Sequence, residues 1–248
     1  MTGDFECVAT AAISHAAAIH PLQVPLWIDL TAVVAGALVG ASAAARQQLD
    51  AFGALLLAVI MGLGGGIVRD LLLGLRPVAV TSRYFLPTVA AAALAGFLFA
   101  SLVRRFERTF AILDAMSVGL FTIVGVEKAL LYDLPYVSAI FIGVSAAVGG
   151  GVLVDLVAGR PVEVIRRGPW NATAALVGAS GYVVADAADA PTGVSQAIAF
   201  LLVVMMRLAA LRWGLQTPLP ADVGQKLAAR RAQGDEDSHR REDGTEPR

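Results

Sequence analysis

Long apolar runs separated by short polar breaks make up most of the chain up to position 213. An α-helix rises about 1.5 Å per residue, so roughly 20 apolar residues cross a hydrocarbon core of about 30 Å. Seven runs are long and apolar enough, and they cover approximately 26–46, 52–75, 84–103, 110–131, 135–158, 170–189 and 193–212. The pattern predicts an all-α membrane protein with seven transmembrane helices.

The composition excludes several other classes of protein. Hydrophobic residues make up 57% of the chain and charged residues only 16%, whereas a soluble domain is about one quarter charged. Of the 39 charged residues, 13 follow position 213, which leaves the rest of the chain still more apolar. A single cysteine, Cys7, cannot form an intrachain disulfide. The net charge of −1 offers no basic surface for nucleic acid, so membrane lipids are the expected surroundings.

The two ends of the chain lie outside the apolar runs. Residues 1–25 have no Lys or Arg ahead of an apolar run, so we interpret them as an N-terminal extramembrane segment and not as a signal peptide. Residues 214–248 are rich in charge and are predicted to form a disordered tail. The connections between the runs are too short to hold a soluble domain.

The basic residues predict the orientation in the membrane. With seven spans, one side of the membrane receives most of the arginines: Arg46, Arg104, Arg105, Arg108, Arg160, Arg166, Arg167 and Arg212. The other side receives Arg76 and Arg83, together with loops that carry aspartates. Cytoplasmic loops are enriched in Lys and Arg, so we expect the C-terminus in the cytoplasm and the N-terminus outside.

An internal repeat relates the two halves of the chain at a constant offset of 85 in sequence number. Gly64-Gly65-Gly66, Asp70 and Gly74 return as Gly149-Gly150-Gly151, Asp155 and Gly159, and the same offset links Asp29 to Asp114 and Gly40 to Gly125. Each copy holds three spans, so the copies must insert in opposite orientations. The repeat predicts a first three-helix unit at 26–108, a second at 109–190 and a seventh helix at 191–213.

The glycine triplets have two interpretations. Glycine in a helix interior is unfavourable by about 1 kcal/mol relative to alanine, and it allows a neighbouring backbone to approach closely. A single triplet would favour such packing. Two triplets at equivalent positions favour broken helices that expose backbone groups to a pathway.

The charged residues near the triplets also leave alternatives open. Asp70 and Asp155 either stabilise the first turn of a restarted half-helix or attract cations into a pathway. Arg69 precedes Asp70, but its counterpart in the second repeat is Val154. Lys128, near the end of the fourth span, either extends to the interface or lies in the pathway.

Three further polar residues have simpler interpretations, and the chain has no catalytic motif. Asp29 and Asp114 are expected to stabilise helix N-termini, and Arg207 is expected near the cytoplasmic interface. The chain contains no HExxH, CxxC or P-loop motif and no convincing Ser/His/Asp arrangement. The glycine triplets lack the strand–turn–helix surroundings of a dinucleotide site. We therefore expect neither an enzyme nor a bound cofactor or metal.

The doubled motif resembles that of a known family. With GGGIVRDLLLGLRP at 64–77, GGGVLVDLVAGRP at 149–161 and GVEKAL at 125–130, the chain resembles the prokaryotic branch of the trimeric intracellular cation (TRIC) channels. This family has also been labelled glycine-transporter-like in bacteria. The likeness covers roughly residues 26–212.

The resemblance implies a homotrimer in the prokaryotic inner membrane, with a separate pore in each protomer. It further implies conduction of K⁺ and also Na⁺, a pore lined by helices two and five with kinks at their glycines, and a gating role for Lys128. The competing interpretation is a secondary transporter of a small zwitterion such as glycine, because inverted repeats with broken helices serve carriers as well.

The orientation is testable with reporter fusions. A reporter joined after Arg212 should indicate a cytoplasmic location, because the arginine-rich loops are expected on that side. A periplasmic signal from the same fusion would contradict the assignment of spans.

Overall fold

The computed structural model describes residues 25–98, 107–165 and 170–213, most of which are α-helical. Each predicted run coincides with a long helix of this part of the chain: α1 (Leu26–Arg46), α2 (Ala51–Leu72), α3 (Phe85–Leu98), α4 (Glu107–Leu131), α5 (Tyr136–Val157), α6 (Asn171–Ala187) and α7 (Thr192–Trp213). A short helix, Val78–Thr81, connects α2 to α3, and a 3-10 helix, Glu163–Ile165, follows α5.

The helices fit the predicted all-α membrane protein. Five of them, α1, α2, α4, α5 and α7, are long and apolar enough to cross a membrane. Helix α3 is apolar but has 14 described residues, and α6 has 17. The count of seven spans therefore stays a prediction. Several predictions concern positions outside the described residues, namely Cys7, most of the N-terminal segment, the tail 214–248, and Arg104, Arg105, Arg166 and Arg167.

The ends of α2 and α5, at equivalent positions of the repeat, have the same local structure. Gly74 and Gly159 adopt positive φ angles of 70° and 63°, a conformation that glycine takes without steric penalty. After each glycine, the next backbone N–H donates to a carbonyl near the helix end, Leu75 to Asp70 and Arg160 to Asp155, both at 2.8 Å. This is a Schellman-type cap, and it turns the chain sharply after both helices.

Small residues bring the helices into close contact. Helix α1 packs on α2 and α3, α4 packs on α5 and α6, and α7 packs on α4 and α6. A Cβ on Gly125 of α4 would lie 2.7 Å from the Cα of Gly143 of α5, and a Cβ on Gly40 of α1 would likewise collide with the α2 backbone. Packing through Gly and Ala is typical of helices in membranes, where it supplies van der Waals contact.

The glycine triplets lie where α2 crosses α5, and both helices continue through them. A Cβ on Gly64 would lie 3.1 Å from the Cα of Gly150, and one on Gly65 would collide with the carbonyl oxygen of Ala146. The predicted helix break at Gly64, Gly65, Gly66, Gly149, Gly150 and Gly151 is therefore wrong. Close packing accounts for Gly64, Gly65 and Gly150, because contact between the two backbones offsets the low helix propensity of glycine.

We expect the second and third glycines of the α5 triplet to respond oppositely to alanine. A Cβ on Gly150 would lie 2.7 Å from the carbonyl oxygen of Met61, whereas Gly151 has nothing within 4 Å. Gly150→Ala should lower the free energy of unfolding by about 1–3 kcal/mol, the usual cost of overpacking. Gly151→Ala should leave it unchanged or raise it, because alanine favours the helix.

Thermal unfolding of both variants in the same detergent measures this difference. Equal melting temperatures for the two variants would contradict the backbone contact between α2 and α5.

Candidate functional site

Charged side chains gather at two opposite ends of the helix bundle. Asp29 near the start of α1 belongs to one group and Arg46 at its end belongs to the other. At about 1.5 Å per residue, the two positions are about 25 Å apart along the helix. The two groups differ in packing, since the first is sealed and the second surrounds a cavity.

The sealed group, here the ion-pair cluster, consists of Asp29, Arg69, Asp70 and Lys128. The Arg69 guanidinium donates through Nε to Asp70 Oδ1 at 2.8 Å, and through Nη1 and Nη2 to the Asp29 carboxylate at 3.3 and 3.2 Å. Lys128 Nζ lies 2.7 Å from the same Asp70 oxygen. The cluster thus ties α1, α2 and α4 together with two positive and two negative charges.

The cluster is buried and its central carboxylate is held from several sides. The side chains of Arg69 and Asp70 are 1% exposed and that of Lys128 is 14% exposed. The second oxygen of Asp70 accepts the backbone N–H of Val78 at 2.8 Å, which also fixes the short helix after α2. Buried charges are tolerated when they are paired and hydrogen-bonded, and every member of this cluster is paired.

The cluster corrects three interpretations of the sequence. The Lys128 ammonium group is not free in water, because Asp70 holds it inside the bundle. Asp29 does more than stabilise a helix N-terminus, because it neutralises Arg69 from the neighbouring helix. Asp70 and Asp155 lie near the C-terminal ends of continuous helices and not in the first turn of half-helices.

The second charged group surrounds a cavity of about 490 Å³. Six charged residues of the described chain line it: Arg46, Asp114, Asp155, Arg160, Glu163 and Arg207. The cavity reaches Met61 and Gly151 at the crossing of α2 and α5. Because a Cβ on Gly151 would meet nothing within 4 Å, the third glycine of this triplet faces open space.

Four of the charged residues around the cavity form two ion pairs, Arg160 with Asp155 and Arg207 with Asp114. Asp155 accepts Arg160 Nη2 at 2.8 Å and the backbone N–H of Glu163 at 2.9 Å. Asp114 pairs with Arg207 of α7, and the Arg46 guanidinium lies 4.1 Å from the centre of the Phe110 ring. Such a polar cavity can hold water and small ions.

Arg207 has a partner that the sequence did not indicate. It is 2% exposed, and Asp114 near the start of α4 binds it inside the bundle. Asp114 was expected only to stabilise its own helix. The repeat already linked Asp114 to Asp29 in the sequence, but neither acid could be matched to a basic partner from spacing alone.

Glu127 lies beside Lys128 but takes part in neither group. Its Oε2 accepts Gln196 Nε2 of α7 at 2.8 Å, and the residue is 8% exposed. The described residues hold no group of three His, Cys, Asp or Glu side chains arranged for a metal ion.

Arg69 and Arg160 each pair with one of the two equivalent aspartates, but we expect their removal to change stability by different amounts. Arg69 pairs with Asp70 and is 1% exposed, whereas Arg160 pairs with the equivalent Asp155 and is 42% exposed. We expect Arg69→Met to lower the free energy of unfolding by about 3–5 kcal/mol, because it leaves buried carboxylates without their partner. Arg160→Met should cost less than about 1 kcal/mol.

Thermal melting of the two variants in detergent compares them directly. A smaller loss for Arg69→Met than for Arg160→Met would show that the cluster does not stabilise the fold.

Sequence comparisons place the chain among bacterial membrane proteins. The family model described as "Glycine transporter" matches residues 26–104 and 111–187, one stretch in each half of the repeat. A UPF0126 membrane protein of Deinococcus radiodurans is 35% identical over 195 residues, covering 78% of this chain and 90% of that protein. The UPF0126 inner membrane protein YadS of Escherichia coli K12 is 32% identical, covering 77% and 94%. With the apolar helices, these relatives establish a multi-pass prokaryotic membrane protein.

Comparisons of structure agree. The TRIC trimeric intracellular cation channel orthologue of Rhodobacter sphaeroides superimposes with a TM-score of 0.71 at 34% identity, covering 77% of this chain and 98% of that one. A prokaryotic TRIC channel solved in 0.5 M KCl gives 0.69 at 25% identity, covering 76% and 95%. The chain therefore belongs to the family described as glycine transporter, which includes the UPF0126 membrane proteins and the prokaryotic TRIC channels.

Proposed function

We propose that this protein is a homotrimeric channel for monovalent cations, K⁺ and also Na⁺, with one pore through each protomer, and that it is not an enzyme. One observation carries the proposal: a charged cavity of about 490 Å³ ends at the glycine crossing of α2 and α5. Three carboxylates line this cavity, Asp114, Asp155 and Glu163, and their oxygen atoms suit a cation. The similarity to solved TRIC cation channels supports the same assignment.

The proposed pore passes beside the crossing of α2 and α5. From the cavity it continues past Gly64, Gly65 and Gly66 on α2 and Gly149, Gly150 and Gly151 on α5 toward the ion-pair cluster. The glycines serve the pore by allowing two continuous helices to cross closely, while Gly151 leaves one side of the crossing open.

We place the units 26–108 and 109–190 in opposite orientations, with α7 outside the repeat and seven spans in all. Support comes from the equivalent helix ends at Gly74 and Gly159 and from the paired match of the family model. The arginines near the cavity support a cytoplasmic location for the cavity and the C-terminus, with the N-terminus outside.

The ion-pair cluster is the proposed closed gate. Lys128 joins α4 to Asp70 of α2, and Arg69 joins the same carboxylate to α1, so opening requires at least one of these pairs to separate. Arg69, Asp70 and Lys128 are thereby the gating charges, and Asp155 belongs to the cavity. A unit charge that crosses the full membrane field changes its free energy by about 2.3 kcal/mol per 100 mV, enough to bias such a gate.

A planar bilayer recording of the purified protein tests the function. We expect unitary currents with K⁺ as the permeant cation, and we expect unitary currents again when Na⁺ replaces K⁺. Saturable, substrate-specific uptake without unitary currents would overturn the channel and favour a carrier of a small zwitterion such as glycine. A cavity lined by both signs of charge is the observation that favours this second function, because a zwitterion carries both signs itself.

Removing the Lys128 charge should open the gate more often. Lys128→Ala deletes the link between α4 and Asp70, so we expect a higher open probability or a flatter dependence on voltage. Lys128→Arg keeps the charge and should stay nearer to the wild type.

Glu127→Gln is the matched control, because Glu127 is the neighbour on α4 and contacts Gln196 outside the cluster. Single-channel recording of the three variants measures the effect. Unchanged gating in Lys128→Ala would remove Lys128 from the proposed gate.

A further inference from the structure

The cavity and the ion-pair cluster occupy equivalent positions in the two halves of the chain. Three pairs related by the repeat contribute to both: Asp29 with Asp114, Asp70 with Asp155, and Val78 with Glu163. The backbone N–H of Val78 donates to the Asp70 carboxylate at 2.8 Å, and the backbone N–H of Glu163 donates to the Asp155 carboxylate at 2.9 Å. We call Asp29 and Asp70 with the Val78 backbone the first carboxylate frame, and Asp114 and Asp155 with the Glu163 backbone the second. The two frames have equivalent residues and the same backbone hydrogen bond.

The two frames differ in their positive charges. Arg69 corresponds to Val154 and Lys128 corresponds to Ala43, and both of these apolar residues line the cavity. The void beside Asp29, Arg69 and Asp70 is only about 10 Å³, whereas the cavity beside Asp114 and Asp155 is about 490 Å³. Where Val154 and Ala43 stand in place of these two long cationic side chains, a cavity remains.

A positive charge from outside the repeat partly replaces the missing ones. Arg207 of α7 pairs with Asp114 and is buried, although α7 belongs to neither half. Its Nε and Nη1 atoms have no hydrogen-bond partner within the described chain, whereas Arg69 uses all three nitrogens on two carboxylates. Arg207 therefore supplies charge to the frame without sealing it.

We propose that Arg207 sets the net charge of the cavity and thereby its preference for cations over anions, an inference that rests on the proposed channel function. The described part of the lining carries three arginines and three carboxylates, so their charges balance. Removing one arginine leaves an excess negative charge, and removing one carboxylate leaves an excess positive charge. Selectivity therefore depends on whether Asp114 keeps its partner.

Reversal potentials across a KCl gradient test the proposal, with the more dilute side at about 10 mM, where the Debye length is about 30 Å. Arg207→Gln should move the reversal potential toward that of K⁺ and raise the conductance at least about twofold, because a vestibule with excess negative charge concentrates cations. Asp114→Asn should shift both quantities the other way. Arg207→Lys retains the positive charge and should therefore stay near the wild type.

The double variant Arg207→Gln, Asp114→Asn restores the balance of charge and should restore the wild-type selectivity. All of these shifts should shrink at about 1 M KCl, where the Debye length is about 3 Å. If Arg207 has a purely structural role, the reversal potentials of both single variants should shift in the same direction, or by the same amount at both salt concentrations. Either result would overturn the inference, while a wild-type current would still support the channel. Absence of any wild-type current would overturn the channel function and this inference with it.

Discussion

The close crossing of α2 and α5 is the constraint on which the rest of the structure depends. These helices come from different halves of the chain and meet backbone to backbone, with Gly64 against Gly150. Any side chain at Gly65 or Gly150 would enter the opposite backbone, so the distance between the halves depends on these positions. The cavity and the ion-pair cluster flank this contact, one toward each end of the bundle.

Charged side chains then distinguish the two halves of the sequence repeat, in which α2 and α5 end in the same way. Buried carboxylates need partners, and Asp29 and Asp70 of the first half pair with Arg69 from the same half and with Lys128 from α4. The second half meets the same requirement with Arg207 from α7 and with Arg160 from the loop after α5. Because these side chains approach from other directions, the first frame is filled and the second is open.

This asymmetry agrees with the family to which the chain belongs. A pore needs an aqueous entrance and a barrier that can move, and the open and filled frames are suited to these two tasks. The proposed barrier consists of ion pairs and not of apolar packing, so ions and voltage would act on it directly. A carrier could use the same two frames by opening them in turn, which is why electrical recording separates the two functions.

The amino-acid sequence by itself determined the positions of the seven long helices, the membrane class, the repeat and the family, because apolar runs and doubled motifs are properties of local order along the chain. Tertiary structure alone decided the partners of the charges. Asp29 and Arg69 are 40 residues apart and Asp114 and Arg207 are 93 apart, and no local pattern relates them. It also decided that the glycine triplets pack instead of breaking their helices. The stability of a glycine-rich helix depends on the helix that packs against it. That partner is distant in sequence, so the local sequence does not identify it.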